Sequence, residues 1–299
     1  MMRRVDCTVY STDHLDSDRG EPDMSRRQSP HLACHWSVRA LILCGIALVE
    51  ILPATAEDKA GNVAERLAKT RADLISSVTG VRKAAVGGLV HSDLSATLAT
   101  EIHAALGDQD GEVRALAATA TGNLGAASVP AIPALIKQLK YDKVKEARET
   151  AARALGRIGK AAPTNNSAIE PLTTAARDDL DAVTRTVALG ALALMDVQVP
   201  EQINALRKFL HHDDALVRMK ASHALGMIGL PAKVAAPEIV KVLEQETDDH
   251  RTGYIARSLG NTGDPSSLPA LYSAFKRETD PGALGEIRGA IAKLGGKVP

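Results

Sequence analysis

Metal chemistry in this 299-residue chain would have to come chiefly from nine histidines, 36 acidic residues and three cysteines. A metal centre needs imidazole, carboxylate or thiolate groups that converge on one point. The pair His211-His212 beside Asp213-Asp214 is the one place where two adjacent histidines and two adjacent carboxylates stand together in sequence. Adjacent side chains on a helix point about 100° apart, so the two rings do not converge easily on one ion. A helix C-terminus favours histidine for its dipole alone, and the pair reads as structural. Cys7, Cys34 and Cys44 all fall within the first 56 residues, which leaves the remainder without thiolate ligands, disulfides or a cysteine nucleophile. No Gly-x-Ser-x-Gly, P-loop, His-Glu-x-x-His or Gly-x-Gly-x-x-Gly pattern stands in a supporting context. The reading is therefore of a non-catalytic chain with no cofactor and no metal.

Composition narrows the partner. Basic and acidic residues balance at 36 each, which supplies no broad positive field for a nucleic-acid duplex or an anionic membrane. Aromatic residues are 2% of the chain, too few for the stacking platforms that hold single strands. Nucleic acid is excluded as an expected partner.

A repeat organises the rest. Val113-Arg114 is followed by Ala117-Ala118 and Leu124-Gly125. Similar strings run from Ala147-Arg148 to Leu155-Gly156 and Ile158-Gly159, and from Val217-Arg218 to Leu225-Gly226 and Ile228-Gly229. With Arg82, Arg114, Arg148, Arg185, Arg218, Thr252 and Ile287 taken as equivalent, the spacings are 32, 34, 37, 33, 34 and 35 residues. Apolar residues within each string recur at helical spacing, as in Ala147, Ala151, Ala154, Leu155 and Ile158, and the trailing glycines read as helix ends. A second helical segment precedes each string, as in Ile132, Leu135, Ile136 and Leu139, with Pro133, Pro171, Pro200, Pro237 and Pro269 in or near its first turn. Aspartates mark the turn between the two helices, where they accept hydrogen bonds from free backbone N–H groups. Asp108, Asp142 and Asp179 stand six residues before Arg114, Arg148 and Arg185.

This pattern of Pro-x-Leu in the first helix, Asp at the turn and Val-Arg-x-x-Ala-x-x-Ala-Leu-Gly in the second resembles HEAT repeats. It is most similar to the short, Ala- and Gly-rich kind also found in phycocyanobilin lyase-like proteins. The resemblance implies an all-α solenoid of about seven helical hairpins over 57–299, with units near 57–91, 92–126, 127–160, 161–197, 198–230, 231–264 and 265–299. It also implies that the arginine column is an Asp–Arg ladder between neighbouring repeats and not an anion-binding stripe. An enzyme on the same scaffold is the alternative, bilin-lyase-like ahead of the di-iron deoxyhypusine hydroxylase. The hydroxylase repeats carry His-Glu pairs, and this sequence has no His-Glu dipeptide.

In such a solenoid the second helices line one concave wall. Positions five and nine residues after the arginine column face away from the first helix. Most of them are small or polar, but Arg153, Arg157, Met219, Lys220, His223, Met227, Tyr254 and Arg257 form a mixed basic and apolar patch in the middle to C-terminal units. Arginine, tyrosine and methionine are enriched at protein interfaces. The expected function is a scaffold or adaptor that holds a protein or peptide, acidic in character, on that wall. Asn165-Asn166-Ser167 fits a glycosylation acceptor and reads as a polar loop between repeats.

The first 56 residues carry an address. Arg26, Arg27 and Arg39 precede an apolar run from Ala40 to Val49, and Pro53-Ala54-Thr55-Ala56 follows. That is the order of a secretory signal peptide, over 24–56 with Met24 as its start. The run is half the length that a membrane span needs. Export in the bacterial manner and no stable membrane insertion after cleavage are the expectation. N-terminal sequencing of the protein made in a bacterial host should then begin near Glu57; a soluble cytoplasmic product that retains 24–56 would contradict it.

Overall fold

The computed structural model describes residues 56–298, with side chains from residue 62. The signal segment expected over 24–56 lies outside the described residues, except for Ala56. Among the described residues there are fourteen α-helices and no strand. They pair as seven hairpins: α1 (Ala56–Leu74) with α2 (Thr79–Leu89), α3 (Ala99–Ala104) with α4 (Gly111–Asn123), α5 (Ile132–Tyr141) with α6 (Lys145–Ala161), α7 (Ile169–Asp178) with α8 (Ala182–Leu194), α9 (Val199–Phe209) with α10 (Ala215–Ile228), α11 (Ala236–Gln245) with α12 (Asp249–Thr262), and α13 (Leu268–Arg277) with α14 (Pro281–Lys293).

Local chemistry sets these bounds. Pro133, Pro200, Pro237 and Pro269 stand in first turns, where the missing N–H had no helical partner. Asp110, Asp181, Asp214, Asp248 and Asp280 cap second helices through their carboxylates. The Asp280 cap corrects the register of the last repeat. Asp280 accepts from the Ala283 N–H, and Leu284 N–H bonds to its carbonyl, as Arg218 N–H does to Asp214. Leu284, not Ile287, therefore stands where the arginines stand upstream.

The second helices α2, α4, α6, α8, α10, α12 and α14 pack successively on one another. Their approach is too close for side chains at four crossings. A methyl group on Gly122 would lie 2.8 Å from Ala154 Cα, on Gly156 2.8 Å from Ala191 Cα, on Gly226 2.7 Å from Ser258 Cα, and on Gly260 2.7 Å from Ala290 Cα. Gly156, Gly159 and Gly226, expected as helix ends, lie inside helices instead. The ends belong to Gly125, Gly229 and Gly263, whose positive φ angles suit residues without a Cβ.

Between turns runs the ladder. Arg82 donates from Nε and Nη2 to Asp108 at 2.7 and 2.9 Å, Arg114 to Asp142 at 2.6 Å for both, and Arg148 to Asp179 at 2.8 and 2.9 Å. In each case Nη1 donates to the carbonyl six residues earlier, at Ser76, Asp108 and Asp142. Each arginine thus closes its own turn and grips the next. The Arg82 guanidinium holds the Asp108 carboxyl below the usual carboxylate range. Burial alone would raise Asp142, but hydrogen bonds from Arg114 and the Val144 N–H outweigh it and the net shift is downward.

The ladder stops after the fourth repeat. Arg185 keeps its bond to the Asp179 carbonyl, but the residue six before Arg218 is His212, not an aspartate. His212 Nδ1 accepts the Asp214 N–H at 3.0 Å, as the aspartates do for their own turns, and Arg185 lies over the Phe209 ring. This corrects the reading of His212 as a dipole-favoured helix end: it is a turn acceptor. The buried apolar side chains also divide here, into one core from Leu74 to Leu192 and another from Leu189 to Leu294.

The crossings generate a paired prediction. Gly226→Ala should cost about 1 to 3 kcal/mol, because the added methyl meets backbone. Gly289→Ala, mid-helix with nothing within 4 Å of the new Cβ, should gain about 0.5 to 1 kcal/mol. Urea unfolding of the two variants checks the sign of each change.

Candidate functional site

The patch expected on the second helices is built by α6, α8, α10 and α12. The small side chains of α8 create it. Val187, Gly190, Ala191 and Leu194 form an apolar floor, rimmed by Arg153, Lys220, His223, Ala224 and Met227. Because α8 projects so little, α6 and α10 meet across it: Lys220 Nζ donates to Glu149 Oε1 at 2.6 Å, and Glu149 also pairs with Arg153 four residues on. Arg157 donates to the Asn123 side-chain oxygen, and Asn123 in turn donates to the Val90 carbonyl at 2.8 Å.

On the C-terminal side, Arg257 donates to Glu286 at 3.1 Å and stacks over the Tyr254 ring at 4.6 Å. Tyr254 meets His223 edge-on at 5.9 Å between centroids and His250 at 4.8 Å. The structure therefore gathers Arg153, Lys220, His223 and Met227 round one recess, with Tyr254 and Arg257 beside it and Arg157 toward the N-terminal repeats. Met219 is not among them. It is 7% exposed and belongs to the core, because one residue of helix turns it about 100° from Lys220. Glu149, His250 and Glu286 belong to the surface and were missed. The four-residue spacing of Glu149 and Arg153 was a legible signal, whereas the link from Glu149 to Lys220 joins residues 71 apart.

His223 reports the field. Burial, then Arg257, Arg153, Lys220 and Arg157, push its pKa down to about 4. Arg157 is itself lowered, by burial and by Arg153. Glu149 and Glu286 leave an excess of positive charge, and the recess is polarised for an anion.

A second cleft, about 700 Å³, opens at the C-terminal ends of α8 and α10 and includes Lys160, Asp196, Pro200, Ile203, Met227 and Pro231. It shares Leu194 and Met227 with the recess but lacks Arg153. Among the described residues, no three His, Cys, Asp or Glu side chains are placed to share a metal ion. No described helix is long and apolar enough to cross a membrane.

The His223 shift has a checkable sign. An unfolded histidine titrates near about 6.5. A folded value near 4 means that the folded state gains relative stability above the unfolded value, and loses it as pH falls toward 4. Proton NMR should give His223 a midpoint near 4, and His223→Gln should flatten the pH dependence of stability between those limits. An ordinary midpoint would remove the case for the polarised recess.

The HEAT-repeat family model matches residues 99–193 and 169–253, and the PBS lyase HEAT-like repeat model matches 253–277. Among solved structures, similarity extends to the complex of CpcE and CpcF of phycocyanin lyase from Nostoc sp. PCC7120, at 22% identity over 75% of this chain and 93% of that one, with a TM-score of 0.48. One engineered protein matches at 23% identity over 77% and 68% of the two chains, with a TM-score of 0.39, and another at 22% over 77% and 96%, with a TM-score of 0.36. No curated protein matches the chain. The repeat matches together span more than half of the sequence, and their helical hairpins, turn aspartates and close-packed second helices are those of the fold described above: the chain belongs to the HEAT-repeat proteins.

Proposed function

We propose that this HEAT-repeat scaffold is exported and acts without catalysis, holding an acidic segment of a protein or peptide partner on the wall of second helices. The carrying observation is the set of cations round an apolar floor; burial first, and then these cations, depress the pKa of His223. Arg153, Lys220 and Arg257 already have carboxylate neighbours in Glu149 and Glu286, so a partner's acid must share or displace these. Arg157 is bonded to a neutral amide and offers its charge more fully. Met227 and Tyr254 supply apolar contact beside them. A guanidinium pairs with a carboxylate through two parallel hydrogen bonds, which favours arginine-rich walls for acidic partners.

The competing reading is a bilin-lyase-like enzyme, favoured by the PBS lyase HEAT-like repeat match over 253–277. A tetrapyrrole absorption band that co-purifies with the protein would support it over the scaffold reading.

The test is titration of a fluorescent, glutamate-rich decapeptide into wild type and an Arg153→Ala, Arg257→Ala double variant. The double substitution should cost at least about 1 to 2 kcal/mol of binding, with little change in thermal midpoint. Affinity should fall with added salt, since the pairs are partly exposed. Equal affinities for both proteins would move the site off this wall.

A further inference from the structure

Five arginines of the column are held in the same way, and this identifies what the fifth one lacks. Arg82, Arg114, Arg148, Arg185 and Arg218 each donate from Nη1 to the carbonyl six residues earlier. That bond aims the other edge of the guanidinium, Nε with Nη2, at the turn of the next repeat. In the first three the edge is filled by an aspartate carboxylate at 2.6 to 2.9 Å. For Arg218 the matching residue is Glu246, and Glu246 is turned inward: it accepts from the N–H groups of Thr247 and Asp248 and from the Arg251 guanidinium. Arg218 Nε is consequently shielded from solvent with no hydrogen-bond partner. A buried donor left unpaired costs free energy, so the position favours anything that brings an acceptor.

A second orphan stands in the same cleft. Glu238 uses Oε1 to hold Arg207, while its Oε2 is buried without a partner. Arg218 and Glu238 both line an opening of about 340 Å³ at the turn side of the fifth and sixth repeats, with His211, His212, Asp213 and Lys241. The cleft thus holds a buried, unpartnered Arg218 Nε, a buried, unpartnered Glu238 Oε2 and an exposed ammonium.

We propose that this cleft binds an acidic residue of a peptide, whose side-chain carboxylate completes the Arg218 rung while a main-chain N–H of the same segment donates to Glu238 Oε2. The chain shows which ligand the arginine edge accepts, since Asp108, Asp142 and Asp179 fill it upstream. Glu238 then decides between classes of anion. Inorganic phosphate would satisfy Arg218 but bring up to two negative charges beside Glu238, whereas a peptide side chain brings one and adds a main-chain N–H as donor. Lys241, exposed on α11, adds attraction for the carboxylate without being buried by it. The site is separate from the wall of second helices and does not depend on binding there.

The experiment uses the full chain and follows the ring protons of His211 and His212 by NMR. The probe is an acetylated, amidated Ala-Glu-Ala tripeptide, compared with its Gln counterpart and with inorganic phosphate. The glutamate peptide should give saturable shifts, the Gln peptide should bind at least about tenfold more weakly, and phosphate should not reproduce the shifts at equal concentration. Arg218→Lys, which keeps the charge but not the fork, should weaken the glutamate peptide by about tenfold or more, with hydrogen exchange in α10 as the check on folding. If that variant is destabilised, the exposed Lys241→Ala serves instead, with a loss of about threefold or more. Absence of saturable shifts up to about 10 mM peptide would overturn the proposal. So would equal binding of the Gln peptide, equal action of phosphate, or wild-type affinity in both variants.

Discussion

Everything on this protein's surface depends on how closely its second helices approach. At Gly122, Gly156, Gly226 and Gly260 there is no space for a methyl group between one helix and the backbone of the next. Such contact brings the rows of second helices together more tightly than Leu- and Ile-faced first helices can pack, since the distance between helices follows the side chains at the crossing. α8 extends the principle outward. Its small residues Gly190 and Ala191 leave the recess across which Lys220 reaches Glu149, so packing in the interior and the shape of the candidate surface share one cause.

Arginine does two different jobs in the fold. Arg82, Arg114 and Arg148 are fully engaged, each with an aspartate fork and a carbonyl, and their burial makes any loss of a partner expensive. Arg153, Arg157 and Arg257 lie on the wall, each with one side-chain hydrogen bond, to Glu149, Asn123 and Glu286. The same residue type is cement in one row and field source in the other, and position along the helix decides which. Four residues after the cap, the side chain meets the turns; nine or thirteen residues after it, it meets the wall.

Much of this was legible in the sequence because period and turn chemistry are local. The hairpins follow from apolar spacing and first-turn prolines, and the ladder from aspartates six residues before arginines. The glycines were misassigned for a physical reason: a glycine near the end of an apolar run suits a cap with positive φ and a tight crossing equally well. Gly229 is the first and Gly226 the second, three residues apart. The last repeat slipped from Leu284 to Ile287 because helical apolar patterns nearly repeat after three residues, and the capping bond of Asp280 was needed to choose. Within the site, Arg153, Lys220 and His223 could be placed on one face by counting. The bridge from Glu149 to Lys220 could not, since it spans a whole repeat whose small side chains let it pass.

The ladder has a sense of direction: aspartate faces back along the chain and arginine faces forward. A repeat from the 92–160 stretch carries both halves, so an extra copy inserted beside its parent would be electrostatically closed at each end. The repeat that contains Arg218 offers His212 backward and an open guanidinium forward, and a duplicate of it would match neither neighbour. Growth of this solenoid by duplication is thus permitted in its N-terminal half and discouraged after the fourth repeat, a rule of inheritance written in the chemistry of one rung.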